Sequence, residues 1–81
     1  MEINEFIKDF GNQFDDEDVS LFNPQTEFRG LEEWSSMNAF AVLNMVWKKY
    51  DAPLKPDEMK NTNTIQELFD LVKELKMEKD K

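Results

Sequence analysis

The sequence contains neither cysteine nor histidine. Without cysteine the chain cannot form a disulfide, supply a thiolate nucleophile or build a zinc–thiolate site. Without histidine it lacks the side chain that most often serves as a general base near neutral pH and as a metal ligand. These two absences exclude most of the enzyme classes open to a chain of 81 residues.

Glycine, proline and long apolar runs are also scarce. The two glycines and three prolines form no Gly-rich phosphate-binding pattern. No stretch of 18 apolar residues predicts a membrane span, and the acidic, amphipathic start is unlike a signal peptide. We therefore expect one soluble, cytoplasmic domain over residues 1–81, with no membrane insertion.

The acidic residues are concentrated in the first half of the chain. Residues 1–35 carry ten acids and two bases, Lys8 and Arg29, whereas residues 36–81 carry eight of each. An acidic surface repels nucleic acid and favours basic protein partners, so we expect no nucleic-acid partner. Simple solubility accounts for much of this charge equally well.

Paired carboxylates raise the question of a metal or acid–base site. Asp15 and Asp16 form one pair, and Glu32 and Glu33 form another. Neither pair has the spacing of an EF-hand, and nothing in the sequence predicts the burial that would raise a carboxyl pKa. We interpret both pairs as solvated surface and expect no metal site.

Apolar periodicity predicts an all-α fold. A first amphipathic helix is indicated by apolar residues at helical spacing: Ile3, Phe6, Ile7, Phe10 and Phe14. From residue 15 to residue 34 no period holds, which predicts a long loop with room for one short helical turn. Apolar side chains are expected to pin this loop to the core: Val19, Leu21, Phe22, Phe28 and Leu31.

The second helix is expected over residues 36–50. At 100° per residue one broad face is apolar and predicted to be buried, comprising Ala39, Phe40, Leu43, Val46, Trp47 and Tyr50. The other side carries Met37, Ala41 and Met45 among polar residues. Pro53 ends this helix.

Two further helices complete the predicted bundle. Pro56 suits the first position of a short helix, and Thr64 with Glu67 forms the capping box of a last helix. Its apolar stripe comprises Ile65, Leu68, Phe69, Leu71, Val72 and Leu75. The tail, about residues 76–81, is expected to fray. The architecture is therefore three main helices plus one short helix, with a long first loop.

Two adjacent serines precede the second helix. Either Ser35 or Ser36 could cap it, because one hydroxyl is enough to accept a free backbone N–H of the first turn. A Ser–His–Asp triad is excluded without histidine, and a Ser–Lys arrangement has no support. The second hydroxyl could instead carry a modification, since the positive end of a helix suits a phosphate group.

Two segments resemble the acyl carrier proteins, the phosphopantetheine-binding carrier domains. The first is F-R-G-L-E-E-W-S-S-M-N-A-F-A-V-L, residues 28–43. The family has a Phe, an apolar residue three positions on, and then Asp-Ser-Leu opening the second helix; this spacing is matched by Phe28, Leu31, Ser36 and Met37. Residues 49–72 are similar to the remaining half, including the Thr-Ile-Gln that opens the last helix.

The resemblance implies a role for each serine. Ser36 matches the residue that receives 4′-phosphopantetheine from coenzyme A, and Ser35 takes the place of the family's Asp as the helix cap. Such a domain catalyses nothing itself, because the thiol of its arm holds acyl groups as thioesters for partner enzymes. The implied partners are a phosphopantetheinyl transferase and an acyl-activating ligase, ketosynthase or acyltransferase. We expect the carrier to be a monomer.

The motif departs from the family pattern at three positions. Ser35 replaces the Asp, Glu33 replaces a Gly often found before it, and Met37 replaces the Leu. An alternative hypothesis follows from the first change. The chain would then keep the carrier fold as an unmodified interaction module, with Ser36 acting only at the helix end.

The second helix also differs from that of fatty-acid carriers, which is lined with acids. Residues 36–50 contain no acid. We expect this difference in charge to change the choice of partner proteins more readily than it changes the fold. The expected docking surface comprises Met37, Ala41, Met45, Glu32 and Glu33. We therefore expect a specialised carrier with a dedicated ligase or synthase, in fatty-acid, polyketide, peptide or cell-envelope acyl transfer.

Overall fold

A computed structural model describes residues 2–14, 19–31 and 34–79. It contains four α-helices: α1 (Ile3–Gly11), α2 (Ser36–Met45), α3 (Pro56–Lys60) and α4 (Ile65–Lys79). The described residues form no β-structure beyond one antiparallel bridge between Glu27 and Thr64. The all-α prediction, with three main helices, a short one and a long first loop, is confirmed.

Helix α1 ends earlier than the periodicity predicted. It stops at Gly11, because glycine has a low helix propensity and the following turn tightens. There the backbone N–H groups of Gln13 and Phe14 donate to Phe10 and Gly11, at 3.1 and 3.0 Å. Phe14 therefore lies beyond the helix, yet its side chain is still buried.

The loop between α1 and α2 contains two 3₁₀ turns, Val19–Leu21 and Phe28–Gly30, where one turn was expected. Phe28 is fully buried and Phe22 packs against the core, but Leu21 is 72% exposed, contrary to prediction. The loop also supports α4, since two of the first backbone amides of α4 donate to the loop carbonyls of Pro24 and Thr26. The predicted acidic run at residues 15–18 lies outside the described residues.

Helix α2 continues into a π-helical turn, Val46–Tyr50, and ends at Asp51, whose φ of 53° is left-handed. The prediction that Phe40 and Trp47 face the core is wrong, because they are 58% and 38% exposed. Val42 is fully buried instead. A fixed 100° step misplaces residues beyond Met45, because a π-helical turn contains more residues than an α-helical one.

Helices α3 and α4 begin as the sequence predicts. Pro56 is the first residue of α3. At α4 the backbone N–H of Glu67 donates to the Thr64 hydroxyl at 3.2 Å, and the N–H of Thr64 donates to the Glu67 carboxylate at 3.0 Å. These bonds confirm the capping box, and the backbone donors lower the pKa of Glu67.

The fraying expected from about residue 76 stays a prediction. The helix continues to Lys79, and Leu75 in its penultimate turn packs against the core. Residues 80 and 81 lie outside the described part of the chain.

The core is built around aromatic rings. Phe10 of α1 is fully buried, and its ring centroid lies 5.4–6.5 Å from those of Phe6, Phe14, Phe22, Phe28 and Trp34. Aromatic pairs at such distances contribute about 0.5–1.5 kcal/mol each beyond the area they bury. One side chain of α1 therefore holds both the loop and the residue that precedes the two serines.

A polar network joins α1 to the end of the second helix. The Asp9 carboxylate accepts hydrogen bonds from Lys49 Nζ and Tyr50 Oη, both at 2.6 Å, and only 8% of Asp9 is exposed. Burial alone would raise the pKa of Asp9, but these two hydrogen bonds and the lysine charge outweigh it and lower the pKa. Burial also raises the pKa of Tyr50, and its bond to Asp9 adds to that rise.

We predict that Asp9→Asn destabilises the fold at pH 7 by about 1–3 kcal/mol, because the buried Tyr50 hydroxyl and the more exposed Lys49 ammonium lose a charged acceptor. Since the folded-state pKa is lowered, the contribution of Asp9 is fully present above its ordinary value of 3.8 and is lost as pH falls through the folded value. Urea unfolding of both proteins should therefore show a stability gap at pH 7 that closes under acid. A constant gap down to pH 2 would contradict the assignment.

Candidate functional site

Ser35 occupies the N-cap position of α2. Its backbone is extended, with φ −147° and ψ 175°, and its hydroxyl oxygen accepts the backbone N–H of Asn38 at 3.4 Å. This hydroxyl therefore satisfies one of the amide groups that a helix leaves without a partner at its start.

Asn38 fixes the orientation of this cap, a role that sequence analysis missed. The Ser35 hydroxyl donates to Asn38 Oδ1 at 2.8 Å, and Asn38 Nδ2 donates to the Gln13 carbonyl oxygen at 3.2 Å. The second bond ties the start of α2 to the segment that follows α1. The S-x-x-N spacing was the available signal, because a polar side chain three residues after a serine cap often completes the cap.

Ser36 is the first residue of α2 and is exposed. Its side chain makes no hydrogen bond to any residue that the structure describes. Because Ser35 already serves as the cap, the hydroxyl of Ser36 is left at the surface, at the helix end where backbone N–H groups carry partial positive charge. The two serines therefore have different structural roles.

A cleft of about 300 Å³ opens beside the two serines, between α2 and α3. Its walls are mostly apolar, and nine residues line it: Arg29, Trp34, Ser35, Ser36, Ala39, Leu43, Pro56, Met59 and Lys60. Ser36 lies at one end of α2 with Ala39 and Leu43 following on the same wall. An apolar chain attached at Ser36 could thus leave water by entering this cleft.

Two cations belong to the same cleft and were not predicted as site residues. Arg29 Nη1 donates to the carbonyl oxygen of Lys60 at 2.5 Å, across 31 residues of chain. Lys60 is the last residue of α3, so the guanidinium lies against one of the unpaired carbonyls at that helix end. Arg29 could have been noticed as one of the two bases in residues 1–35, but its pairing with α3 is a tertiary contact.

The expected docking residues lie in different environments. Met37 is 83% exposed, Ala41 is half-buried, and Met45 is half-buried against the core. Phe40 and Trp47 extend the exposed apolar surface, with ring centroids 6.4 Å apart. We call Met37, Phe40 and Trp47 the α2 strip.

Some predicted residues cannot be placed. Glu32 and Glu33 lie outside the described residues, as does the Asp15/Asp16 pair. In the ranges that are described, no three acidic side chains come together in a way that could hold a metal ion. Within the same ranges, no helix has the length and apolar content needed to cross a bilayer.

Comparisons of the chain with protein-family models, curated proteins and solved structures find no match. The resemblance to acyl carrier proteins is therefore carried by the motifs in residues 28–43 and 49–72.

The two serines should respond differently to mutation. Ser35→Ala removes the cap and should lower the free energy of unfolding by about 1 kcal/mol. Ser36→Ala should be neutral or slightly stabilising, because alanine has the higher helix propensity and no bond is lost. Urea unfolding of the two variants beside the original chain makes the comparison. Equal losses, or a larger loss for Ser36→Ala, would show that the cap is assigned to the wrong serine.

Proposed function

We propose that this protein is an acyl carrier whose 4′-phosphopantetheine arm is attached to Ser36. The observation that carries the proposal is that the two serines occupy different positions at the start of α2. Ser35 caps α2, and this leaves the Ser36 hydroxyl exposed beside an apolar cleft. One hydroxyl suffices for the cap, so the hydroxyl of Ser36 is available for modification.

The residues around Ser36 fit the arm that the resemblance implies. A phosphodiester on this hydroxyl would lie at the N-terminus of α2, a ten-residue helix, where the dipole favours negative charge. The arm would supply the thiol that this cysteine-free chain lacks, and thereby hold an acyl group as a thioester.

The chain's own contribution is to present and shelter the acyl group. The wall formed by Ala39, Leu43 and Met59 offers apolar contact for the cargo, and the exposed position of Ser36 lets a partner enzyme reach the arm. The chain has no histidine or cysteine, and no acid is found among the described residues that line the cleft. We therefore assign the catalysis to partners: a phosphopantetheinyl transferase first, and then an acyl-activating ligase, ketosynthase or acyltransferase.

Incubation with coenzyme A and a broad-specificity phosphopantetheinyl transferase should add a single phosphopantetheine to the intact protein, measured by mass. Ser36→Ala should show no gain, because it lacks the acceptor oxygen. Ser35→Ala is the matched control, since it keeps that oxygen while losing the cap. Modification of the Ser36→Ala variant, or no modification of the original chain even by the transferase of its own cell, would refute the carrier proposal.

A second candidate function is favoured by the α2 strip. Exposed large apolar side chains in one patch often mark a protein–protein contact, and Met37, Phe40 and Trp47 form such a patch. An unmodified interaction module would bind a partner through this strip and need no arm. Ser36→Ala separates the two functions, because it should abolish carrier function and leave such a module able to bind its partner.

In the carrier, the strip is expected to contact the transferase and later partners. Met37→Glu and Phe40→Glu should slow the modification of Ser36, because an apolar contact is replaced by a charge. Both should change the free energy of unfolding by less than about 0.5 kcal/mol, because both side chains are exposed. Gln25→Glu, an exposed loop change of the same charge, serves as the control.

Met45→Glu should behave differently from these variants. Its side chain packs against the core, so the charge should lower the free energy of unfolding by more than about 1 kcal/mol. Initial rates from mass spectrometry and urea unfolding give the two readouts. Wild-type rates for both strip variants would exclude the strip from docking.

A further inference from the structure

The charged side chains that line the cleft among the described residues are basic, whereas the molecule as a whole is acidic. The chain carries a net charge of −8, yet the charged side chains that line the cleft are Arg29 and Lys60, and no acid lines it within the described part of the chain. Residues 1–35 contain only two bases, and one of them lies here. A purely apolar cargo would require neither cation.

Arg29 is positioned by a contact that uses little of its binding capacity. One Nη1 donor goes to the Lys60 carbonyl oxygen at 2.5 Å, and this bond holds the guanidinium against the end of α3. A guanidinium has five N–H donors in a planar fork that matches a carboxylate or a phosphate. Among the described residues, the other four donors have no hydrogen-bond partner, and a second cation, Lys60, lines the same cleft.

We propose that the cleft selects an acyl cargo with an anionic far end, such as the half-thioester of a dicarboxylic acid, and that Arg29 and Lys60 pair with this charge. The inference rests on the proposed attachment of the arm at Ser36. The cargo's apolar middle section lies against Leu43 and Met59, and its terminal carboxylate lies at the cations. The cleft, about 300 Å³, has room for a short acyl chain that ends in a carboxylate.

The same cations could instead serve the phosphodiester of the arm. Both ligands are anionic oxygen groups on a flexible chain, and they differ in where the charge lies along it. We favour the cargo carboxylate because the N-terminus of α2 already serves a phosphodiester at Ser36, whereas Arg29 is fixed at the far end of α3. Comparing the arm-bearing protein with and without cargo shows whether the cations pair with the phosphodiester of the arm or with the carboxylate of the cargo.

The first experiment needs no modification of the protein. The unmodified chain is titrated with monomethyl suberate, the monoanionic half-ester of an eight-carbon diacid, and separately with dimethyl suberate, its neutral analogue. Binding is followed by the chemical shifts of Ala39, Leu43 and Met59. The monoanion should bind about fivefold more tightly, as expected for a partly exposed ion pair, and the preference should shrink as salt is raised.

Substitutions of Arg29 and Lys60 test whether these two cations cause the preference for the monoanion. Arg29→Gln should abolish the preference for the monoanion, and Lys60→Gln should reduce it. Lys48→Gln, which removes an equivalent charge from an exposed site outside the cleft, should leave it unchanged. Equal binding of the two esters, or a preference that survives Arg29→Gln, would overturn the proposal.

The second experiment uses the loaded carrier. Phosphopantetheine carrying an octanoyl or a suberyl group is transferred to Ser36, and the melting temperatures are compared with that of the arm alone. The suberyl form should melt highest, and Arg29→Gln should remove its advantage over the octanoyl form. An equal effect of Arg29→Gln on the arm without cargo would assign the cation to the phosphodiester and overturn the cargo assignment. If Ser36 accepts no arm, the carrier function fails while the ester titration still decides whether the cleft binds anions.

Discussion

The burial of Phe10 is the interaction on which the rest of the structure depends. Its ring lies among aromatic side chains from α1, from the long loop and from the segment before α2, including Phe28 and Trp34. A loop of this length would lose much conformational entropy on ordering, and these contacts offset that cost. The loop in turn supplies carbonyl acceptors to the start of α4. Through Phe10, one small core orders both the loop and the helix start that carries the serines.

Two serine side chains lie at the start of α2 in different structural positions. Ser35, held by Asn38, satisfies the helix end, and Ser36 is left at the surface. In the carrier families that the chain resembles, an Asp stands in place of Ser35. A serine hydroxyl can cap a helix as an Asp does, so under the proposed function Ser35 would keep the local structure and remove a negative charge next to the proposed attachment site. This loss of charge is consistent with the lack of acids along α2.

The surface around Ser36 differs from the average surface of this acidic protein. The α2 strip is apolar, and the cleft on the other side of the serines carries Arg29 and Lys60. Long-range fields act on how fast partners associate, whereas groups in contact with a ligand decide what is retained. The net charge of the molecule and the charge that lines the cleft can therefore have opposite signs, because the first acts on association with partners and the second acts on retention of a ligand. Under the proposed function, the overall charge acts on encounter with partners and the cleft acts on the cargo.

The sequence by itself determined the number and order of the helices and the starts of α3 and α4. Thr64 and Glu67, Pro56 and the apolar stripes rest on interactions within one or two turns, so spacing alone predicts them. The tertiary structure decided which side of α2 faces inward, with Val42 buried and Phe40 exposed. Beyond Met45 the π-helical turn changes the angular step, and Trp47 is exposed. The tertiary structure also forms the cleft, because Arg29 contacts the carbonyl oxygen of Lys60 only when the loop packs against α3. Hydrogen bonds between residues that are close in sequence can be predicted from residue spacing. A cleft depends on how segments that are distant in sequence pack around one core.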